Sequence, residues 1–85
     1  MNRYVYALFD KVSLSYMPVF EAINDNVAVR NVLQSMEMNK ISDVEDFELV
    51  CLFRINVLEE GTPDVELKTE IENRKVKIVR RKKDG

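Results

Sequence analysis

Two segments of this chain carry apolar side chains on both faces when drawn as extended strands, which places both inside a sheet. In Phe47–Asn56, the residues Phe47, Leu49, Cys51, Phe53 and Ile55 alternate with Glu48, Val50, Leu52, Arg54 and Asn56. The first set is wholly apolar and the second is apolar at its middle, so the segment reads as a central strand. In Arg3–Asp10, Tyr4, Tyr6 and Leu8 share one face, while Val5, Ala7 and Phe9 share the other. This is a second interior strand by the same reasoning.

The rest of the chain fits around these two. Asp10–Ser13 supplies a turn, and Tyr16–Ala22 is a further extended segment. Pro18 within it lacks a ladder donor, which puts the segment at a sheet edge or makes it irregular. Asn24, Asp25 and Asn26 open a helix, since short polar side chains accept hydrogen bonds from the free N–H groups of a first turn. Val29, Val32, Leu33 and Met36 follow at helical spacing and form one apolar stripe, with Arg30, Asn31, Gln34 and Glu37 on the solvent side. Asn39-Lys40 closes the helix.

After the acidic connection Ser42–Asp46 and the central strand, Glu59–Asp64 contains Gly61 and Pro63 and reads as a turn. Val65–Ile71 alternates with period two, as a half-exposed strand does. A helix through residues 64–75 is the competing reading, because Glu and Lys favour helices and Leu67 and Ile71 lie four apart. Glu72–Lys75 then offers a turn into a last strand through Val76 and Ile78. The expected fold is α+β, in the order β-β-α-β-β. It is a small antiparallel or mixed sheet of four to five strands with one helix packed on one face. One helix covers little of a sheet, so the other face is left for a second copy, and a homodimer is expected.

Eighty-five residues make one domain. Its 46% hydrophobic content supports a small core, although a chain of this length buries a modest share of its surface. The charge is divided unevenly. Residues 1–73 hold six Lys and Arg against fourteen Asp and Glu, whereas residues 74–85 hold seven against one. The expected organisation is therefore a compact acidic body, residues 1–73, with a basic C-terminal strand or tail, residues 74–85. Basic ends seek anions: phosphate, an anionic surface, or the acidic body of a neighbour. The candidate phosphate contacts are Arg74, Lys75, Lys77, Arg80, Arg81, Lys82 and Lys83. The same run also reads as a solubilising end. Tyr4 and Tyr6 share a strand face, as base stacking by tyrosines beside cations requires. Core packing or a dimer contact requires the same.

Much chemistry is missing. The chain has no His, one Cys and two Gly. The commonest general base and any zinc constellation are thus lacking, as are phosphate-binding and dinucleotide glycine patterns. Asp43, Glu45 and Asp46 read as a solvated acidic loop rather than a Mg²⁺ or Ca²⁺ site. No catalytic residues, no cofactor and no metal are expected. Cys51 lies in an apolar run and reads as a buried thiol, which fits a reducing compartment. Neither a signal peptide nor a membrane span is legible, and a cytoplasmic location is expected.

Four stretches together resemble a known family: Tyr4–Asp10, Tyr16–Ala22 with its Tyr-x-Pro-hydrophobic-Phe run, Asn24–Arg30, and Asp46–Phe53. They resemble the small nonstructural protein of gokushovirus-type microviruses, phages with single-stranded DNA. The likeness covers roughly residues 3–58 and leaves the basic end outside it. It implies a phage accessory protein in the host cytoplasm, linked to viral DNA synthesis or packaging, and brings no catalytic residues. On this reading the partner is single-stranded DNA, bound by the basic end and the tyrosines. The alternative partner is a host or phage replication protein, captured by an adaptor.

Overall fold

The structure, a computed structural model, describes residues 2–57 and 67–80. Its element order is β1 (Asn2–Asp10), β2 (Ser15–Tyr16), β3 (Phe20–Ala22), α1 (Asp25–Met38), a short 3-10 turn (Val44–Asp46), β4 (Phe47–Val57) and β5 (Leu67–Val76). The strands form one antiparallel sheet in the order β2-β1-β4-β5, with β3 also paired to β1. This is the α+β architecture that the alternation patterns imply. The two segments apolar on both faces, β1 and β4, lie side by side inside the sheet.

The segment containing Pro18 is both things its proline allows. It runs along the outer side of β1 and breaks into two short strands, with Met17 N–H still donating to Leu8 C=O at 2.8 Å. The β1–β2 turn is held by Asp10, whose Oδ1 accepts from the N–H of Val12 at 2.9 Å and of Ser13 at 3.3 Å. Leu14 closes that turn at φ 55°, a left-handed conformation that a side chain with a Cβ resists. Leu14→Gly is expected to raise stability by about 0.5–1 kcal/mol, the relief being partly offset by the greater freedom of glycine in the unfolded chain. A lower midpoint in a thermal melt would contradict this assignment.

Helix α1 begins as the polar run suggests: Asn24 Oδ1 accepts from Val27 N–H at 2.9 Å. It ends in a Schellman turn. Lys40 N–H donates to Glu37 C=O at 3.1 Å and Ile41 N–H to Met36 C=O at 2.8 Å, with Lys40 at φ 57°. The buried stripe is Ala28, Val32 and Met36, rotated from the expected Val29, Val32, Leu33 and Met36. Ala28 is fully buried, and its small side chain lets the helix sit close to the sheet. Val29 and Leu33 move to the flank, half-buried. Beneath the helix lie Tyr6 and Leu8 of β1, Ala22 of β3, and Leu49 and Cys51 of β4.

Bulges change which residues share a face. Tyr6 lies opposite Cys51, but Val5 lies opposite Phe53, so Leu52 is an extra residue in β4. The expected five-residue face therefore divides. Phe47, Leu49 and Cys51 stay under the helix, while Phe53 and Ile55 pass to the other face with Arg3 and Val5. β5 answers the same irregularity: Cys51 opposes Arg74 and Phe53 opposes Ile71, with Asn73 between them at φ 43°. Where the sequence suggests a turn at Glu72–Lys75, or a helix through 64–75, a single strand runs from Leu67 to Val76. The start of the expected strand, Val65 and Glu66, lies outside the described residues. The expected boundary between residues 73 and 74 falls inside β5, because the cross-strand bonds to β4 continue through Val76. Val76 and Ile78 pack against the core.

Candidate functional site

The basic end divides according to which side of the sheet each residue meets. Arg74 opposes Cys51 and so faces the helix. Its guanidinium grips Asp25, the first residue of α1, with Nη1 2.6 Å from Oδ2 and Nη2 3.0 Å from Oδ1. This is a planar, two-pronged pair. Tyr6 donates its hydroxyl to the same carboxylate, at 2.6 Å from Oδ1. Asp25 therefore ties β1, α1 and β5 together, and its negative charge sits at the positive end of the helix dipole. The hydrogen bonds from Arg74 hold the Asp25 carboxyl below its usual range, with a further contribution from Tyr6. Burial, then the hydrogen bond to Asp25, pushes the Tyr6 hydroxyl well above its ordinary value.

This arrangement engages three of the expected DNA contacts within the protein itself. Tyr6 is fully buried and stacked on Phe20 at 5.5 Å, so it presents no ring face to a base. Tyr4 is half-buried, and the Arg74 guanidinium lies 5.9 Å from its ring centroid. The cation it was to share with a phosphate is already on its face. Arg74 also meets Glu72 at 3.5 Å. Nearby, Arg54 pairs with Glu70 on the neighbouring strand.

Lys75, one position on, emerges on the opposite side of the sheet and pairs with Glu48 at 2.9 Å. The hydrogen bond from Lys75 holds the Glu48 carboxyl below its usual value. Lys77 and Arg80 follow β5, are exposed, and join no ion pair among the described residues. Arg80 reaches back to the Ser42 carbonyl at 3.4 Å. Arg81, Lys82 and Lys83 lie outside the described residues. Lys77 and Arg80, with Lys11 and Lys75, line a shallow groove of about 590 Å³ that also contains Glu45 and Glu48.

The sheet face away from the helix is open among the described residues. Val5 and Ala7 are buried there by their neighbours. Val50, Phe53 and Ile55 are only half-buried, and Ile71 is 84% exposed. Phe9 and the exposed Tyr16 pack with tilted rings, centroids 4.8 Å apart, toward one margin. Ion pairs flank this apolar centre, Arg3–Glu21 at 3.5 Å and Lys75–Glu48 at 2.9 Å. Val12, Leu14, Met17 and Val19 add exposed apolar surface on the adjoining hairpin and edge.

Cys51 is buried, and desolvation pushes its thiol up, which makes it a poor nucleophile. Among the described residues, no group of three His, Cys, Asp or Glu could hold a metal ion, and no helix is long and apolar enough to cross a membrane. The role of Asp25 was missed in the sequence, where it reads only as part of a capping run. Its partners Tyr6 and Arg74 lie 19 and 49 positions away. Comparison with protein-family models, with curated proteins and with solved structures returns no match to this chain.

Proposed function

We propose that this chain is a non-enzymatic phage accessory protein that works in the host cytoplasm by protein association. On this reading it is a homodimer, closed through the open sheet face, that captures a host or phage replication factor. The observation that carries the reading is that face: an apolar centre of Phe53, Ile55, Val50 and the protruding Ile71, bordered by ion pairs. An apolar centre with a polar border is the composition of an association surface. The phage setting rests on the likeness in residues 3–58.

Sedimentation equilibrium tests the dimer. The wild-type chain is expected to sediment as a dimer and Ile71→Glu as a monomer; Ile71 supports no core packing, so this variant keeps its fold. A wild-type chain that stays monomeric at every accessible concentration would end the dimer reading. Capture from host lysate tests the adaptor, whose partner is expected to survive nuclease treatment.

A second reading, weak binding of single-stranded DNA, is favoured by one observation. Lys77 and Arg80 remain exposed and share a groove with Lys11, and Arg81–Lys83 continue the run in sequence. Such binding would weaken steeply with salt, because neutralised phosphates release counterions. Affinity for a labelled oligonucleotide at two salt concentrations, before and after deletion of residues 81–85, measures it.

A further inference from the structure

A second, larger groove of about 1020 Å³ runs between α1 and the segment after β5. Its floor is apolar, formed by Val29 and Leu33 of α1, Ile41 just beyond it, and Val79 across the gap. Val29 and Leu33 are the stripe residues displaced when Ala28 took the centre of the helix–sheet contact, and Val79 is 54% exposed. The rim is cationic. Arg30, Lys40 and Arg80 stand around the groove, with Glu37 the single carboxylate among the described lining residues. None of the three cations joins an ion pair among the described residues.

What sets the rim apart is that its cations cluster on an otherwise acidic body. Residues 1–73 carry six basic against fourteen acidic side chains, and the four cations Arg3, Arg54, Arg74 and Lys75 are each paired to a carboxylate. Arg30 lies eight residues, about 12 Å, before the last helical residue Met38, and Lys40 sits just past that end, so the rim charges span the length of a short helical or extended segment. Arg81–Lys83 carry the same sign as the rim and are no electrostatic complement to it. A bare polyphosphate satisfies the rim and leaves the floor wet.

We propose that this groove takes an acidic amphipathic segment of a partner protein, apolar side chains on the floor and carboxylates against Arg30, Lys40 and Arg80. The proposal rests on the protein-association reading and gives that association a surface and a partner chemistry. Recognition of this kind places a few apolar anchors in a groove, and the charges set the choice of partner.

The test uses the full chain and a fluorescein-labelled synthetic peptide of about four helical turns, with leucines on one face and glutamates on the other. The control peptide keeps the leucines and carries lysines. Anisotropy titration is expected to show the acidic peptide binding at least about tenfold tighter than the lysine one, a difference of about 1.4 kcal/mol. The double variant Arg30→Glu/Lys40→Glu is expected to invert that preference. Both positions are exposed, so the variant folds. Failure of the acidic peptide to bind, equal binding of the two peptides, or an unchanged preference in the double variant would overturn the proposal. So would competition by a labelled oligothymidylate that binds tighter than the peptide, which would assign the rim to nucleic acid. A nuclease-resistant partner captured equally by wild type and double variant would remove the groove and leave the association reading intact. A chain that binds the acidic peptide with the expected charge preference yet stays monomeric would remove the dimer and leave the groove standing.

Discussion

Leu49→Ala is expected to lower the unfolding free energy by about 2–5 kcal/mol, because it deletes apolar contacts and leaves a cavity that the surrounding sheet and helix can close only in part. Leu49 is fully buried at the crossing of helix and sheet. It has Leu8 opposite on one side and Val76 opposite on the other, and it shares the core with Val32 and Met36. A domain this small has little stability in reserve, since folded proteins as a class hold only about 5–15 kcal/mol. The urea midpoint should therefore fall sharply, and at the upper end of the range the variant is largely unfolded without denaturant. Ile71→Ala is the matched control. Its side chain is 84% exposed, so within one subunit its loss is expected to cost under about 0.5 kcal/mol. Equal losses at the two positions would mean that the helix does not cover the face bearing Leu49.

Asp25→Ala is expected to cost about 2–4 kcal/mol. Most of this is the buried Tyr6 hydroxyl, which loses its acceptor and is left unsatisfied at about 1–3 kcal/mol. Loss of a carboxylate at a helix N-terminus adds about 0.3–1 kcal/mol. The partly exposed pair with Arg74 adds at most about 1 kcal/mol, since water screens it. Tyr6→Phe removes the donor and leaves Asp25 on Arg74, so its cost should be smaller, about 1 kcal/mol. A Tyr6→Phe variant as unstable as Asp25→Ala would refute the idea that the stranded hydroxyl dominates.

The same cluster sets a pH dependence. The folded state holds the Asp25 carboxyl below its ordinary value of 3.8. Its contribution is therefore complete above that pH and is lost as the pH falls further and the folded-state carboxyl takes a proton. Tyr6 acts at the other end. Its hydroxyl is raised from an ordinary value of 10.0, so its contribution is complete below about 10 and is lost as the pH rises beyond it. Asp25→Ala should flatten the acid limb of the stability profile measured by urea titration at stepped pH. An acid limb identical to the wild type's would show that other carboxylates produce it.

Local patterning was enough to read most of the architecture. Alternation over Phe47–Asn56 and Arg3–Asp10 identifies the two interior strands, because a side chain's face in a strand follows from its position in sequence. Pro18 marks the irregular edge because it has no donor to give, and Asn24 caps α1 because its short side chain reaches an N–H three residues on. Each of these effects acts within a few residues. The bulge at Leu52 is not of this kind. It depends on how β1 and β5 register against β4, and it sends Phe53 and Ile55 to the opposite face from the one alternation predicts.

The candidate sites followed the same division. Counting charges finds the cationic end, but counting cannot say that Arg74 is spent on Asp25 and Lys75 on Glu48. Those partners are distant in sequence and meet only when the sheet assembles. The rim of Arg30, Lys40 and Arg80 was equally hidden, since Arg30 reads as one solvent-facing residue of a helix until the segment after β5 is laid beside it. Sequence by itself determined the α+β class, the two interior strands, the helix and its N-cap, because these arise from short-range geometry and apolar periodicity. Tertiary structure decided which face each strand shows past its bulge and, among the described residues, which cations are paired to carboxylates and which are not. Those outcomes depend on strand registers and on packing between elements that no local pattern encodes.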